Sequence, residues 1–242
     1  MATLRLGLGL RKRADRAIRQ ASSALLRELP LFRRVHGESF DVMEVAFFAA
    51  ALESASFYQE HMLTAAVFEN DLALLSHAME IAPADGMILE FGVAAGRTIN
   101  HIARLTTRHV HGFDSFSGLP ENWRTGYSQG RFAQAMPAVP CNVSLHKGWF
   151  SDTLPSFLDG TSDPVAFLHI DCDIYSSTAF VLESLKERIK VGTVIVFDEY
   201  FNYPGWRQHE HKAFQEFTTQ TGLSFRYDSF VPTHQQVCAI IG

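Results

Sequence analysis

Cysteine is scarce in this chain, and its three copies are widely separated. Cys141, Cys172 and Cys238 show none of the paired spacings that are typical of a disulfide framework or a structural zinc site. Long apolar runs are also missing, because no stretch reaches the roughly 18 residues that a transmembrane helix needs. The start, MATLRLGLGLRKR, carries its charges after a short apolar stretch, which argues against a secretory signal. These absences predict a cytoplasmic protein without a transmembrane segment.

Basic residues are scarce outside the first 36 positions. Residues 1-36 hold nine Lys and Arg against two acidic residues, which leaves 12 basic and 24 acidic side chains for the rest. An acidic body of this kind argues against a nucleic-acid groove and is compatible with cationic ligands and divalent metals. We expect a basic arm at 1-36, a helical lid or oligomerisation segment at 37-82, and the ligand-binding domain at 83-242. The aromatic content of residues 40-70 favours a homo-oligomer.

The stretch MILEFGVAAG, residues 87–96, reads as a strand followed by a turn of small residues, and a helix follows it. Glycine permits a tight turn and lets a ligand approach the backbone closely. Asp114 ends the next strand about 20 residues on, which is the spacing at which an acidic residue meets ribose hydroxyls. The sequence therefore predicts a nucleoside-type ligand. A nicotinamide-dependent oxidoreductase stays open at this point, although the spacing of Gly92, Ala94 and Gly96 departs from the dinucleotide fingerprint.

Strand and helix patterns alternate from residue 87 onwards, which predicts an α/β fold with a mainly parallel, Rossmann-like doubly wound sheet. The last two strands follow one another closely, so we expect them to form an antiparallel C-terminal hairpin. The seven predicted strands are 87-91, 109-114, 142-147, 165-171, 192-198, 222-229 and 235-241. The helices between them are 96-107, 151-159, 175-190 and 206-220.

Acidic residues follow two later strands of the predicted sheet. Asp171 and Asp173 come after the strand VAFLHI, and Asp198 and Glu199 come after VGTVIVF. Because the carboxyl ends of parallel strands meet at one edge, these carboxylates should converge on the nucleoside site. A single Asp there often caps a helix, but four carboxylates repel one another unless a cation joins them. This pattern predicts a metal or catalytic role. Trp149, after a third strand, is a candidate to stack on a purine.

Four segments in order, LEFGVAAGRT, GFDSFSGLPENW, FLHIDCDIYSST and VGTVIVFDEY, resemble the macrocin O-methyltransferase family. These are class I S-adenosylmethionine-dependent methyltransferases that act on sugar hydroxyls of natural products, and their sheet ends in the same hairpin. The resemblance runs from about residue 60 to the C-terminus. It implies an O-methyltransferase with S-adenosylmethionine and magnesium as cofactors and a small hydroxylated acceptor, such as a sugar or a secondary metabolite.

The resemblance also implies roles for individual residues. Asp171, Asp198 and Glu199 correspond to magnesium ligands, Asp173 to a proposed general base, and His169 is the second candidate for that role. The predicted cofactor-binding residues are Glu90, Phe91, Gly92, Ala94, Gly96, Thr98, Asp114, Ser115, Phe116, Trp149 and Asp171.

The chain departs from the family pattern at two positions. Glu199 stands where the family usually has an aspartate, and Ser117 replaces a common acidic residue after Asp114. Two alternatives therefore remain beside the oxidoreductase. One is a metal-independent methyltransferase of a small hydroxylated acceptor. The other is a non-enzymatic binding module, which would leave the convergent carboxylates unexplained.

Overall fold

The computed structural model describes residues 39–242, so the predicted basic arm at 1-36 lies outside the described residues. The chain separates into two compact units, with the boundary between Leu52 and Glu53. The sheet belongs to the second unit. The boundaries predicted at 36 and 82 stay predictions. Among the residues described, no helix combines the length and apolar character that crossing a bilayer requires.

Six α-helices and eight strands make up the described part of the chain. In order they are α1 Val42–His61, β1 Ala66–Val67, α2 Asp71–Ile81, β2 Met87–Phe91, α3 Arg97–Arg104, β3 Val110–Asp114, β4 Val143–Lys147, α4 Phe150–Asp159, β5 Val165–Ile170, α5 Tyr175–Leu185, β6 Val194–Phe197, α6 Glu210–Thr221, β7 Phe225–Phe230 and β8 Val237–Ile241. A turn of 3-10 helix at Trp206–Gln208 precedes α6.

The strands form one sheet in the order β1-β7-β8-β6-β5-β2-β3-β4. All neighbours are parallel except β8, which runs antiparallel between β6 and β7. This arrangement confirms the doubly wound α/β fold and its C-terminal hairpin. The predicted count of seven strands is corrected to eight, because Ala66–Val67 pairs with the end of β7. Two exposed residues carry no periodicity, so this strand left no signal in the sequence.

Three predicted helices are shorter or divided. The helix predicted at 96-107 ends at Arg104. The helix predicted to reach residue 190 ends at Leu185. The helix predicted from residue 206 divides at His209, whose backbone (φ −114°, ψ −123°) is not helical, so that α6 begins at Glu210. The division matters for the site, because it places Glu210 in the first turn of α6.

The central strands β2 and β5 are buried along their whole length, as expected for parallel strands covered on both faces. They are also where the strand order reverses, since β3 and β4 lie on one side and β6 and β8 on the other. Ligands of open α/β sheets bind outside the carboxyl ends of the strands at such a switch point. The fold therefore places a crevice beyond Phe91 and Ile170.

Candidate active site

A cavity of about 470 Å³ lies at the carboxyl ends of β2, β3, β5 and β6. Nine of the residues predicted for the site line it: Gly92, Ala94, Ser115, Asp114, Trp149, Asp171, Asp173, Asp198 and Glu199. The cofactor and metal predictions thus fall on one cavity.

The turn after β2 packs tightly against the turn after β5. Gly92 has φ +92°, and a Cβ atom there would lie 1.8 Å from the carbonyl oxygen of Asp171. Any side chain would therefore push the two turns apart. Ala94 also has a positive φ, 46°, in the left-handed region that costs a non-glycine residue about 1–2 kcal/mol. The surrounding hydrogen bonds hold this turn in place.

Asp114 accepts two of those bonds. Its Oδ2 accepts hydrogen bonds from the N–H groups of Val93 and Ala94 at 2.9 and 2.8 Å. Its Oδ1 accepts from the N–H of Phe116 at 2.6 Å. Each carboxylate oxygen has two lone pairs, so the group keeps capacity for further donors from the cavity. Asp114 therefore shapes the turn and remains able to bind hydroxyl groups.

Five other predicted residues lie beneath the cavity rather than in its lining. Glu90 is fully buried, where it accepts a hydrogen bond from Thr98 Oγ1 at 3.1 Å. Phe91 is also fully buried and stacks on Phe113 with ring centroids 4.7 Å apart. Gly96 is the N-cap of α3, and Phe116 is 7% exposed and belongs to the hydrophobic core. These residues support the turn, and the described geometry gives their side chains no face on the cavity.

His169, the second candidate base, is also buried beneath the cavity. Its Nδ1 lies 3.0 Å from Glu90 Oε2, and its Nε2 lies 3.9 Å from Asp198 Oδ1, which is too long for a hydrogen bond. Burial opposes a charge on the imidazole, but the two carboxylates outweigh it and raise the pKa of His169 well above its usual value. His169 therefore lies buried between two acids that favour its protonated form.

Asp171, Asp173 and Glu199 each offer a carboxylate oxygen within 4.8 Å of the others. Burial, followed by the charge of Asp198, raises the pKa of Asp171 and of Glu199 well above their usual values. The Oε2 atom of Glu199 is buried and has no hydrogen-bond partner among the described residues. A divalent cation would satisfy that oxygen and relieve the repulsion, so this donor set fits magnesium.

Asp198 differs from the other three acids. Its Oδ1 accepts a hydrogen bond from Gln236 Nε2 at 3.2 Å. Burial raises the pKa of Asp198, but His169 and Gln236 more than offset this and lower it. The three acids whose carboxylate oxygens lie close together in the structure therefore include Asp173. The sequence instead predicted Asp198 as the third metal ligand. Asp198 still lines the cavity beside them.

Asp173 has the properties of a group that can exchange a proton near neutral pH. Burial and the charge of Asp198 raise its pKa to about 7, although the positive charge of Arg124 acts in the opposite direction. Its backbone lies at φ +65°, a strained conformation of the kind that concentrates at functional sites. The carboxyl is 8% exposed and faces the cavity.

Glu210 organises both acidic turns, and the sequence analysis missed it. This fully buried residue accepts a hydrogen bond from the N–H of Glu199 at 3.0 Å and a longer one from Cys172 at 3.4 Å. One carboxylate of α6 thus ties the turn after β5 to the turn after β6. The patterned segment around it, HEHKAFQEF, reads as an ordinary amphipathic helix, so the sequence carried no signal for this role.

The remaining wall of the cavity is largely apolar and also escaped prediction. Apart from Phe150, which adjoins Trp149, it comes from the segment after β3 and from α5. Its members are Leu119, Pro120, Phe132, Phe150 and Phe180. The cavity therefore has an acidic side at β5 and β6 and an apolar side opposite.

Residues 89–200 match the family model described as a methyltransferase domain. A curated relative from Streptomyces olivaceus, named 8-demethyl-8-(2,3-dimethoxy-alpha-L-rhamnosyl)-tetracenomycin-C 4'-O-methyltransferase, is 30% identical over 52% of this chain and 58% of its own length. The demethyldecarbamoylnovobiocin O-methyltransferase of Streptomyces niveus is 30% identical over 49% of this chain and 54% of its own length. The chain thus spans somewhat more than half the length of these curated relatives.

Solved structures give the same picture of the fold. A crystal structure of a calicheamicin methyltransferase superposes with a TM-score of 0.56 at 25% identity, covering 70% of this chain and 76% of that one. The finer assignment to the macrocin family stays a prediction. The matched segment contains the turn after β2 and all five acidic residues that line the cavity. Residues 89–200 are therefore similar to a methyltransferase domain, and the chain has the Rossmann-like fold of such domains.

Proposed function

We propose that this protein is an S-adenosylmethionine-dependent O-methyltransferase that acts on a hydroxyl of a sugar or related natural product, with magnesium in the site. The observation that carries the proposal is a single cavity with a nucleoside-type turn on one side and four convergent carboxylates on the other. The methyltransferase domain and the relatives that methylate glycosylated natural products support it.

The cofactor would lie along the turns after β2 and β3. Gly92 and Ala94 expose backbone there, and Asp114 has acceptor capacity left for the two ribose hydroxyls. Trp149 is 42% exposed at the cavity, which leaves an aromatic face for the adenine ring. Ser115 lines the same wall. When bound, S-adenosylmethionine supplies the methyl group on a positively charged sulfonium, which an acidic cavity favours.

Magnesium would be held by Asp171, Glu199 and either Asp173 or Asp198. Bound there, the cation would lower the pKa of an acceptor hydroxyl and fix its position. The chain's own part is to hold these carboxylates together, through Glu210 and the backbone of the two turns. Methyl transfer requires the acceptor oxygen close to the methyl group and in line with the breaking bond, so this positioning is the main contribution of the protein.

Asp173 is our candidate for the group that takes the acceptor proton. It faces the cavity, whereas His169 lies beneath it and contacts Glu90 and Asp198 instead. We therefore assign His169 a supporting role: in its protonated form it would stabilise the ionised carboxylate of Asp198. An acceptor hydroxyl within hydrogen-bond reach of Asp173 Oδ would give up its proton as the new C–O bond forms.

Calorimetric binding of S-adenosylhomocysteine, with and without Mg²⁺ and beside NAD, tests the proposal. We expect micromolar binding of S-adenosylhomocysteine and none of NAD. A separate Mg²⁺ heat should disappear in Glu199→Gln. Absence of S-adenosylhomocysteine binding in both conditions would refute the methyltransferase assignment. Binding of the cofactor without any Mg²⁺ heat, together with turnover in the presence of a chelator, would favour the metal-independent alternative.

A further inference from the structure

The segment between β3 and β4 forms a structured loop beside the cavity. Its two limbs are joined by hydrogen bonds from Leu119 N–H to the carbonyl of Arg131 and from Gly130 N–H to that of Leu119, both 2.9 Å. At the tip, Trp123 and Tyr127 close a short turn through the N–H of Trp123 and the carbonyl of Tyr127 at 3.0 Å. The loop therefore presents its tip residues in a defined geometry.

Arg124, at this tip, is held by aromatic rings on three sides. Its guanidinium carbon lies 3.9 Å from the centroid of Trp123 and 4.7 Å from those of Tyr127 and Tyr203. None of the ion pairs of residues 39–242 involves it. Its Nε and Nη1 atoms are buried and have no hydrogen-bond partner in that range. Buried guanidinium nitrogens with unused donors are costly unless an acceptor completes them.

Two further buried nitrogens without partners among the described residues belong to side chains around this arginine. They are Nε1 of Trp123 and Nδ1 of His209. The rings of these two residues lie 6.2 Å apart, and the ring of His209 is also 6.2 Å from that of Tyr203. Burial and the charge of Arg124 lower the pKa of His209, so the imidazole is neutral there. Arginine and indole N–H groups are donors, so the cluster needs an acceptor.

The cluster adjoins the acidic side of the cavity. Leu119 and Pro120 of the same loop line the cavity, and Glu121 accepts a hydrogen bond at 2.7 Å from Ser176, which also lines it. Tyr203 donates to the backbone carbonyl of Glu199 at 3.3 Å. An acceptor that reaches Asp173 and Glu199 from outside would therefore pass the tip of this loop.

We propose that Arg124, with the indole N–H of Trp123 and the imidazole of His209, binds an anionic oxygen group of the methyl acceptor, either a carboxylate or a phosphate. The inference rests on the proposed function and adds a substrate class to it. A planar guanidinium can donate two parallel hydrogen bonds to such a group, and the aromatic rings hold its plane. Two acids compete for this charge: Glu121, whose carboxylate already accepts a hydrogen bond from Ser176, and Asp173, whose pKa the charge of Arg124 lowers.

The test uses the full-length chain, saturated with S-adenosylhomocysteine, and titrates it with inorganic phosphate, pyrophosphate and acetate by calorimetry. We expect the wild type to bind phosphate or acetate, and Arg124→Gln to weaken that binding at least about tenfold. Arg124→Lys keeps the charge but loses the paired donors, so it should restore binding in part. Stronger binding of phosphates indicates a phosphorylated acceptor, and stronger binding of acetate a carboxylated one.

Arg131→Gln is the matched control. Arg131 lies in the same loop over Tyr127 and Phe132, at 5.8 and 5.6 Å, but none of its nitrogens is among the buried side-chain atoms without a hydrogen-bond partner within residues 39–242. It should bind the anions as the wild type does. Equal loss in both variants, or no anion binding by the wild type, would overturn the inference while leaving S-adenosylhomocysteine binding intact.

If Arg124→Gln fails to fold, Trp123→Phe removes one N–H donor and should still weaken phosphate binding severalfold. Unchanged binding in that variant would also overturn it.

Discussion

The two halves of the cavity hold their carboxylates in opposite ways. On the side of β2 and β3, both oxygens of Asp114 accept backbone N–H groups at 2.6 to 2.9 Å. On the side of β5 and β6, Asp171 and Glu199 repel one another, and one oxygen of Glu199 is buried without a partner in the described chain. The carboxylate of the first half has hydrogen-bond partners within the protein, whereas the carboxylates of the second half repel one another without full compensation.

This difference indicates different ligands for the two halves. A carboxylate whose oxygens already accept backbone N–H groups suits neutral hydroxyls, which need acceptors but no charge. A cluster of desolvated carboxylates suits a cation, because a nearby positive charge lowers the free-energy cost of keeping the carboxylates buried. The following changes should separate the two halves, in order of decreasing effect.

Asp171→Asn should have the largest effect. It removes one charge from the acidic half while keeping the shape of the side chain, so we expect turnover on a hydroxylated acceptor to fall about 100- to 1,000-fold. Mg²⁺ binding measured by calorimetry should be lost, and affinity for S-adenosylhomocysteine should change less than about threefold.

Asp173→Asn and Asp198→Asn, as a pair, identify the third metal ligand. If the three acids whose carboxylate oxygens lie close together hold the cation, Asp173→Asn should weaken Mg²⁺ more than Asp198→Asn does. The reverse order would favour the set predicted from the sequence. Loss of cofactor binding together with metal binding in all these variants would contradict the division into two halves.

Asp114→Asn should act on the other half. An amide oxygen can replace one carboxylate oxygen, but the NH₂ group cannot accept from the backbone of the turn or from ribose. We expect affinity for S-adenosylhomocysteine to fall about 10- to 100-fold, which is roughly 1.4–2.7 kcal/mol. Mg²⁺ binding should stay within a factor of about three, and a parallel loss of Mg²⁺ would show that the halves are not independent.

Glu210→Gln should have a smaller effect, because it acts through other residues. The variant keeps an oxygen for one backbone N–H but leaves the other without its acceptor. We expect Mg²⁺ affinity and turnover to fall about tenfold, with KM for the cofactor unchanged. Glu216→Gln, on the same helix but partnered with Tyr175, is the control and should behave as the wild type.

The pH dependence of stability should report on the carboxylates of the β5 and β6 side. The pKa of Asp173 rises from 3.8 to about 7 because of burial, so the folded state binds this proton more tightly than the unfolded state. Its contribution is therefore complete below pH 3.8 and is lost as the pH rises through about 7. Without metal, Tm should fall by about 5 °C between pH 5 and pH 8. Mg²⁺, or Asp173→Asn, should flatten this decline, and a Tm that rises over the range would contradict the assignment.

The sequence predicted those parts of the site that depend on strand ends. Asp114, Asp171, Asp173 and Glu199 each follow a buried apolar run, and parallel strands bring such positions to one edge. The sequence did not show towards which face of β2 each side chain points, because both faces of this strand are buried. Glu90 was therefore predicted at the cofactor, whereas its side chain lies between Thr98 and His169.

Residues that reach the site from helices and loops were beyond sequence reasoning. Glu210, Phe180 and Arg124 lie on three separate segments, and their approach depends on how α5, α6 and the loop pack on the sheet. Strand β1 escaped because two residues have no detectable period. The basic arm, the localisation and the homo-oligomer stay predictions, although several apolar side chains of the first half of α1 are exposed, among them Phe47 and Leu52.

The contact between Gly92 and the carbonyl of Asp171 has a thermodynamic consequence. No side chain lies between the two turns, so a ligand that displaces one backbone segment displaces the other. Under the proposed function, the two occupancies would then be linked, by no more than the factor of about three expected above, and the linkage would be reciprocal: the factor by which the cation changes the cofactor's affinity equals the factor by which the cofactor changes the cation's. The glycine hydrogen in place of a side chain would thus let the methyl donor and the metal each modulate the binding of the other.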